Sequence, residues 1–354
     1  MKTNHKIYFK NSSDMGDLES NSIDLMITSP PYPMIEMWDL HFSKTNEEIK
    51  VALAEENGEK AYKLMHTELN KVWKEVKRVL KDGGIACINI GDATRKIKNN
   101  FQLFPNHIKI SSFFHNNDFI ELPCILWRKP SNSPNKFLGS GMLPPNAYVT
   151  LEHEYILIFR KGTKKRIIPP KSEIRYNSAF FWEERNRWFS DLWDDIRGIH
   201  QKVNQDNINY NNLRDRSAAF PLEIAYRLIN MYSIYEDYVL DPFWGTGTTS
   251  LAAIISRRNS VGYELNSEFM KLFNESIKKA KQLNIDVNKS RLSDHIKFIN
   301  EYNKKGKHIR YNSKNYNFPV ITKQEIRILL YMIKNYKQNQ NNFTFNYEKF
   351  NFES

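Results

Sequence analysis

The stretch Tyr238-Val-Leu-Asp-Pro-Phe-Trp-Gly-Thr-Gly-Thr-Thr249 decides the fold, because it holds a short apolar run, a glycine turn and a helix start. Its first four residues predict a buried strand, residues 248–257 a helix, and residues 260–264 a second strand. Together they form a βαβ unit, which requires parallel strands. Strands and helices are also predicted to alternate earlier in the chain, over residues 22–28, 58–79, 85–90 and 102–117. This alternation predicts an α/β protein with a doubly wound, mostly parallel sheet.

The glycine turn predicts a ligand site, because small residues between a strand and a helix let backbone N–H groups approach a ligand. No lysine follows Gly247, so the turn is not a nucleoside-triphosphate loop. A dinucleotide fingerprint would be incomplete, since Ser250 stands where its third glycine belongs. Glu264 follows Gly245 by 19 residues and ends the next strand, where an acid binds ribose hydroxyls. Together, the glycine turn and Glu264 predict a site for an adenosine-bearing ligand, rather than a turn that binds no ligand.

A second motif, Ser29-Pro-Pro-Tyr32, ends the predicted strand over residues 22–28. Two prolines cannot continue a central strand, so the chain turns there. The motif predicts a pocket for a flat ring that carries an amine. Tyr32 would stack on the ring, while the Ser29 hydroxyl and the Pro30 carbonyl would accept hydrogen bonds from the amine as it attacks. The alternative is a rigid loop in which Tyr32 packs on the surface.

Both motifs resemble those of amino-methylating DNA methyltransferases. Their order, catalytic motif first and cofactor motif late, is that of the permuted β group, and Ser217-Ala-Ala-Phe-Pro221 is similar to a further segment of that group. The resemblance spans about residues 7–282. It implies a Rossmann-like methyltransferase fold with circularly permuted motif order, an inserted DNA-recognition region and S-adenosylmethionine as cofactor. A serine before the two prolines is most typical of enzymes that methylate cytosine at N4.

The resemblance also assigns residues to the site. The expected catalytic residues are Ser29, Pro30, Pro31 and Tyr32. The expected cofactor-binding residues are Asn11, Phe220, Pro221, Asp241, Phe243, Gly245, Gly247, Thr248 and Glu264. The family often has an aspartate near position 11, and the carbonyl of Asn11 would accept the same bond from the adenine amine. No metal site is expected, because the nine histidines show no ligand spacing.

Four regions are predicted along the chain: a catalytic half over residues 1–160, a target-recognition region over 161–212, a cofactor-binding half over 213–283, and a C-terminal appendage over 284–354. The second region is basic, aromatic and rich in asparagine. Its residue types bond purine edges and phosphates, or stack when a base leaves the duplex. The expected DNA contacts are Arg175, Trp182, Arg185, Asn186, Arg187 and Trp188, and the alternative is a small core with solvated charges.

Charge supports a polyanionic partner. The 52 Lys and Arg residues exceed the 40 Asp and Glu residues by 12. The resemblance implies that this partner is double-stranded DNA with a short specific recognition site, and the alternative is a basic surface that only aids solubility. The sequence has no apolar stretch of the roughly 20 residues that span a membrane, and its start lacks the apolar core of a signal peptide. We therefore expect a cytoplasmic protein, associated with the nucleoid through DNA binding, with no membrane partner.

The predicted function is methyl transfer from S-adenosylmethionine to the N4 amine of a flipped-out cytosine in duplex DNA. The resemblance implies a protective role beside a restriction endonuclease, with no direct contact required. Adenine-N6 methylation is the first alternative, and an inactive DNA-binding regulator of the same fold is the second. Methylation at cytosine C5 would need a thiolate, and Cys124 follows a proline as such nucleophiles often do. We expect a structural cysteine there, because Leu122-Pro-Cys-Ile-Leu-Trp127 reads as a strand interior.

Overall fold

The computed structural model describes residues 1–129, 138–197, 220–306 and 308–352. Its centre is a sheet of ten strands. In chain order they are β1 (Lys2–Tyr8), β2 (Ile23–Thr28), β3 (Leu80–Ile90), β6 (Phe119–Arg128), β9 (His153–Lys161), β10 (Leu192–Trp193), β11 (Tyr238–Asp241), β12 (Asn259–Tyr263), β15 (Tyr331–Asn339) and β16 (Asn342–Lys349). Three two-stranded sheets complete the strands: β4 (Ala93–Ile97) with β5 (Asn100–Phe104), β7 (Leu138–Gly139) with β8 (Ala147–Tyr148), and β13 (Tyr311–Asn312) with β14 (Pro319–Val320).

The described residues form nine α-helices. They are α1 (Asp39–Thr45), α2 (Glu47–Ala54), α3 (Gly58–Val79), α4 (Asn106–His115), α5 (Glu173–Asn177), α6 (Trp182–Trp188), α7 (Leu222–Tyr232), α8 (Thr248–Ile255) and α9 (Phe269–Lys304). Short 3₁₀ turns span Glu36–Trp38 and Glu325–Arg327. No helix within these ranges is long and apolar enough to cross a membrane.

The strands follow the order β10-β6-β9-β3-β2-β11-β12-β1-β16-β15 across the sheet. Strands β3, β2, β11, β12 and β1 are parallel, whereas β9 runs antiparallel to β3. The predicted doubly wound, mostly parallel sheet is therefore confirmed. The two motif-bearing strands are neighbours, with Leu25 opposite Val239. Because the carboxyl ends of parallel strands share one edge, both motifs lie at that edge, which we call the catalytic edge.

Both faces of the sheet are covered, and strand β2 shows this directly. All six of its residues are buried. Met26 packs in a core with Trp73 of α3, while Leu25 and Ile27 pack in a second core with Ile224 of α7. Successive side chains of a strand point to opposite faces, so a strand buried on both faces reads as a continuous apolar run.

The prediction that residues 284–354 form a peripheral appendage is wrong. Helix α9 runs without a break through position 284. Strands β15 and β16 then continue the main sheet beside β1. Phe343 and Phe345 are fully buried in a third core that includes Ile254 and Phe273. This segment therefore completes one edge of the sheet and covers one side of the cofactor half.

Candidate active site

The buried carboxylate of Asp241 links the catalytic motif to the glycine turn. The Thr28 hydroxyl at the end of β2 donates to Asp241 Oδ1 over 2.7 Å, and the Thr249 hydroxyl of α8 donates to Oδ2 over 2.7 Å. The amide of Phe243 donates to the same side chain over 3.1 Å. Burial raises the pKa of Asp241 to about 6, against the effect of these three hydrogen bonds. Asp241 thus joins the catalytic strand, the glycine turn and the helix start, and it supports the pocket from behind rather than lining it.

A cavity of about 620 Å³ opens in front of this junction. Six of the predicted cofactor and catalytic positions line it: Asn11, Ser29, Pro31, Phe243, Gly245 and Glu264. Loop and helix residues that the sequence reasoning did not single out close its other side, namely Trp38, His41, Phe42, Leu69 and Phe269. The volume is within the range of ligand sites, and the mixed apolar and polar lining suits a nucleoside.

Glu264 holds the glycine turn in shape. Its Oε2 accepts the Gly245 amide over 2.9 Å, and its Oε1 accepts the Asn266 amide over 2.8 Å. Burial raises the pKa of Glu264, and these backbone bonds oppose the rise. A carboxylate has about four acceptor positions, so two remain for ribose hydroxyls. A Cβ at Gly245 would meet only the Phe243 carbonyl oxygen, at 3.9 Å, so the backbone of the turn faces open space.

Four other predicted cofactor residues do not line the cavity. Gly247 has φ +81° and caps helix α8, and a Cβ there would lie 2.4 Å from the Phe273 ring. Thr248 is the first residue of that helix. Phe220 is buried in the core on the α7 side, and Pro221 caps α7. The preceding Ser217, Ala218 and Ala219 lie outside the described residues.

A hydrogen-bond network surrounds Tyr32. Its hydroxyl donates to Glu154 Oε2 over 2.8 Å and accepts from Asn89 Nδ2 over 2.8 Å. Ser29 Oγ lies 3.1 Å from the same hydroxyl. Lys129 Nζ lies 3.1 Å from the other oxygen of Glu154. Burial and the charge of Glu154 raise the pKa of Tyr32 well above its usual value, so the phenol stays protonated.

Asn89 and Glu154 were not predicted as site residues. They come from β3 and β9, and Asn89 also donates to Glu154 Oε2 over 2.7 Å. The one sequence signal was that Glu154 begins a strand, and an antiparallel strand begins at the edge where its parallel neighbours end. Glycine at position 91 makes room for the ring, because a Cβ there would lie 3.0 Å from Tyr32 Cε2.

The predicted DNA contacts are spread over separate places. Trp188 is 1% exposed and packs with Trp193 and Tyr226, so the expectation that it contacts DNA is wrong. Arg175 lines a cavity of about 820 Å³ with Asp24 and Gly83, at the amino ends of the parallel strands and opposite the catalytic edge. The remaining four side chains of this set are exposed on α6: Trp182, Arg185, Asn186 and Arg187. The part of the predicted recognition region over 198–212 lies outside the described residues.

Cys124 is far from suited to nucleophilic attack. It lies within β6 and lines a separate cavity of about 240 Å³ with Pro123 and Phe189. Burial raises the pKa of its thiol, which disfavours the thiolate. Neither property fits methylation at C5.

Among the described residues, one group of potential metal ligands lies together: Glu183, His295 and Glu325. Each ligand atom already has a protein partner. His295 bonds Glu183 through Nδ1 and the Pro319 carbonyl through Nε2, and Glu325 accepts from the amides of Thr322 and Trp182. Two acceptors at one imidazole require both ring N–H groups. The group is thus an ion pair between α6 and α9, and its imidazole, protonated at both nitrogens, has no lone pair for a metal.

Known DNA methyltransferases are similar to this chain in sequence. A family model described as DNA methylase, of N6 and N4 methyltransferases, matches residues 23–275. The chain belongs to this family, and it is an S-adenosylmethionine-dependent DNA methyltransferase. It is 54% identical over 354 residues to the type II methyltransferase M.MthZI of Methanothermobacter thermautotrophicus, covering 99% of this chain and 97% of the relative. It is 51% identical over 312 residues to M.MjaI of Methanocaldococcus jannaschii, covering 84% of this chain and 97% of the relative.

A solved structure agrees with the cofactor assignment. TTHA0409 of Thermus thermophilus, a candidate DNA modification methylase in complex with S-adenosyl-L-methionine, superposes with a TM-score of 0.59 at 30% identity. The match covers 78% of this chain and 94% of that chain. The Rossmann-like methyltransferase fold and the S-adenosylmethionine cofactor expected from the sequence are both confirmed.

Proposed function

We propose that this methyltransferase modifies the N4 amine of a cytosine that is flipped out of duplex DNA, within a short specific sequence. One observation carries the proposal: Ser29 and Pro31 of the catalytic motif border the same cavity as Gly245 and Glu264 of the cofactor motif. A target amine at Ser29 would therefore meet the reacting end of the cofactor in one cleft. S-adenosylmethionine supplies an electrophilic methyl group when bound.

The hydrogen-bond pattern at Ser29 supports its role as an acceptor. The Tyr32 hydroxyl uses its single hydrogen on Glu154, so Ser29 must donate in its bond with Tyr32. The lone pairs of Ser29 then stay available for an N–H group. No described residue donates to the Pro30 carbonyl, so it offers a second acceptor. Two fixed acceptors would draw an aromatic amine towards tetrahedral geometry, and the hydrogen bonds from Ser29 through Tyr32 would carry its proton to the Glu154 carboxylate as nitrogen attacks.

The other residues would act on the target base, the cofactor, the glycine turn and the DNA. Tyr32 would stack on the target base, with Asn89, Glu154 and Lys129 fixing its ring, while Pro31 shapes the wall between base and cofactor. Glu264 would bind the ribose and Asn11 the adenine amine, next to Phe243. Asp241, Gly247 and Thr248 would act by positioning the turn. DNA contacts by the exposed side chains of α6 are part of this proposal.

The choice of cytosine rests on Ser29. In the family resemblance, a neutral serine at this position is typical of N4 methylation, and adenine-N6 enzymes usually carry Asp or Asn. The type II names of the two relatives favour a role in restriction–modification, in which the enzyme protects host DNA beside an endonuclease that it need not touch. Such an enzyme would work on the nucleoid in the cytoplasm.

The test is expression in a host that lacks DNA methylation, followed by mass spectrometry of the hydrolysed DNA. We expect N4-methylcytosine. N6-methyladenine would support adenine-N6 methylation instead, and 5-methylcytosine would support Cys124 as a catalytic nucleophile. Unmodified DNA from cells that hold folded protein with bound cofactor would instead favour a DNA-binding regulator. The Ser29→Ala variant is the matched control, because it should lose the modification and retain the cofactor.

A further inference from the structure

An exposed apolar hairpin stands beside the catalytic edge. Strands β7 and β8 pair Leu138 with Tyr148 and Gly139 with Ala147. At its tip, Met142 is 82% and Leu143 is 70% exposed. The tip has a defined shape, because the Ser140 amide bonds the Asn146 carbonyl over 2.8 Å and the Ser140 hydroxyl bonds the Leu143 carbonyl. Two large apolar side chains held in water at a structured turn indicate a surface that is covered by a partner.

The hairpin is anchored to the catalytic network. The Glu152 carbonyl accepts the Lys129 amide over 2.7 Å, and Glu154 bonds Tyr32. At most about 20 Å of extended chain separates Tyr148 from Glu154, at roughly 3.4 Å per residue. The Tyr148 ring also stacks on Phe101 of the β4–β5 hairpin, with centroids 4.8 Å apart and planes 2° apart. That second hairpin starts at Ala93, two residues after Gly91, where a Cβ would lie 3.0 Å from the Tyr32 ring.

The surroundings of the tip fit DNA. The neighbouring β4–β5 hairpin exposes Lys96 and Lys98, which have no ion-pair partner among the described residues. Cations contact phosphates, and apolar side chains inserted between base steps unstack the duplex. A base that leaves the duplex for the cleft at Ser29 leaves a gap in the stack beside this surface, and an apolar side chain fills such a gap without losing hydrogen bonds.

We infer that Met142 and Leu143 form a wedge that enters the base stack of duplex DNA and supports extrusion of the target base into the cleft at Ser29. The inference rests on the proposed function, because only a target that must leave the duplex needs a wedge. It assigns base extrusion to the β7–β8 hairpin, outside the region over 161–212 that the sequence predicted to read DNA.

The test compares two duplexes that carry the recognition site mapped in methylated host DNA. One is fully paired, and the other has an abasic site opposite the target, so that the target is already unpaired. The variant Met142→Ser/Leu143→Ser should lower kcat/KM at least about tenfold on the paired duplex and less than about threefold on the abasic duplex, because an unpaired base is cheaper to extrude. Its affinity for S-adenosylmethionine should equal that of the unaltered protein.

The control is Ile167→Ser. Ile167 is 89% exposed beside Arg166, which contacts Asp237 at the opposite edge of the sheet, and its replacement should change neither rate. Equal losses on both duplexes, or no loss on either, would overturn the wedge while leaving the methyltransferase proposal intact. Self-association that the double variant abolishes would assign the tip to a second copy of this chain instead. If the unaltered protein modifies neither duplex, the proposed function itself fails.

Discussion

Tyr32 shows how a single hydroxyl adds a role that the motif does not reveal. A stacking role alone predicts that phenylalanine can replace tyrosine. In the structure the hydroxyl bonds Glu154, Asn89 and Ser29, and it decides that Ser29 acts as the donor in their mutual bond. Tyr32→Phe would leave Asn89 and Glu154 short of a partner and release the Ser29 hydroxyl.

We therefore expect Tyr32→Phe to lower kcat about tenfold, the cost of about one unsatisfied buried group. Affinity for S-adenosylmethionine should not change, because Tyr32 does not line the cofactor cavity. Single-turnover methylation with excess cofactor measures the effect. Tyr155→Phe is the control, since the Tyr155 ring stacks on His107 and its hydroxyl has no described hydrogen-bond partner. Full activity in Tyr32→Phe would reduce Tyr32 to a stacking surface.

Glu264 supports a prediction on cofactor binding. Glu264→Ala should weaken binding of S-adenosylmethionine at least about tenfold, because charge-assisted hydrogen bonds to the ribose are lost and the Gly245 amide is released. Glu264→Gln keeps one acceptor oxygen, so its affinity for S-adenosylmethionine should lie between that of the unaltered protein and that of Glu264→Ala. Calorimetry measures both, with the exposed Glu268→Ala as control. Unchanged affinity in folded Glu264→Ala would remove this side chain from the cofactor site.

At the scale of elements, Asp241 ties the end of β2 to the end of β11 and to the start of α8. Its pKa in the folded state, about 6, lies above the ordinary value of 3.8. Ionisation of Asp241 therefore costs folding free energy, and this cost grows as pH rises from about 4 to about 6 and is constant above. An asparagine keeps one acceptor and never ionises.

Asp241→Asn should thus destabilise the protein less at pH 8 than at pH 5, by about 1 kcal/mol. Urea denaturation at the two pH values measures the difference. Asp118→Asn is the control, because hydrogen bonding to Lys77 lowers the pKa of the exposed Asp118, so this carboxyl is ionised at both pH values and the effect of its replacement should not differ between them. A larger loss for Asp241→Asn at pH 8 would mean that the three hydrogen bonds outweigh burial.

The elements also show what sequence can predict. The strand, glycine turn, helix and second strand lie within residues 238–264. The local sequence pattern is therefore sufficient to predict how these elements are arranged. The contact of Tyr32 with Glu154 joins positions 122 residues apart, and no local pattern contains it. The prediction for Trp188 rested on composition, which does not report burial. In the C-terminal segment, Phe343, Phe345 and Tyr347 alternate with polar residues, but abundant asparagine and lysine masked this strand signal.

At the scale of the molecule, charge should govern DNA affinity. With a net charge of +12, the logarithm of affinity should fall linearly with the logarithm of salt concentration. Position decides which cations contribute. Lys96→Ala, on the hairpin beside the catalytic edge, should reduce the slope by about one, and Lys171→Ala, in the cavity at the opposite edge, should leave it unchanged. Fluorescence anisotropy over a salt series measures both. A flat dependence would make the excess charge a property of the surface alone.

The neighbouring strands β1 and β16 have a consequence for the order of the motifs. Lys2 lies opposite Asn346, and the Met1 carbonyl accepts the Tyr347 amide. Residue 1 and the end of β16 are therefore adjacent in an antiparallel strand pair. A few glycines between Ser354 and Met1 would close the chain into a ring, and a new opening between the exposed Lys164 and Lys165 would place the glycine turn before Ser29-Pro-Pro-Tyr32.

We expect this rearranged chain to fold and to methylate DNA at close to the original rate, measured by thermal unfolding and by transfer of labelled methyl groups. A chain that carries the same glycines inserted between Lys164 and Lys165, with its original ends, is the control. If only the rearranged chain failed to fold, assembly of the sheet would depend on starting from β1. If the rearranged chain folds and methylates DNA, activity depends on where the motifs lie in the folded protein and not on their order along the chain.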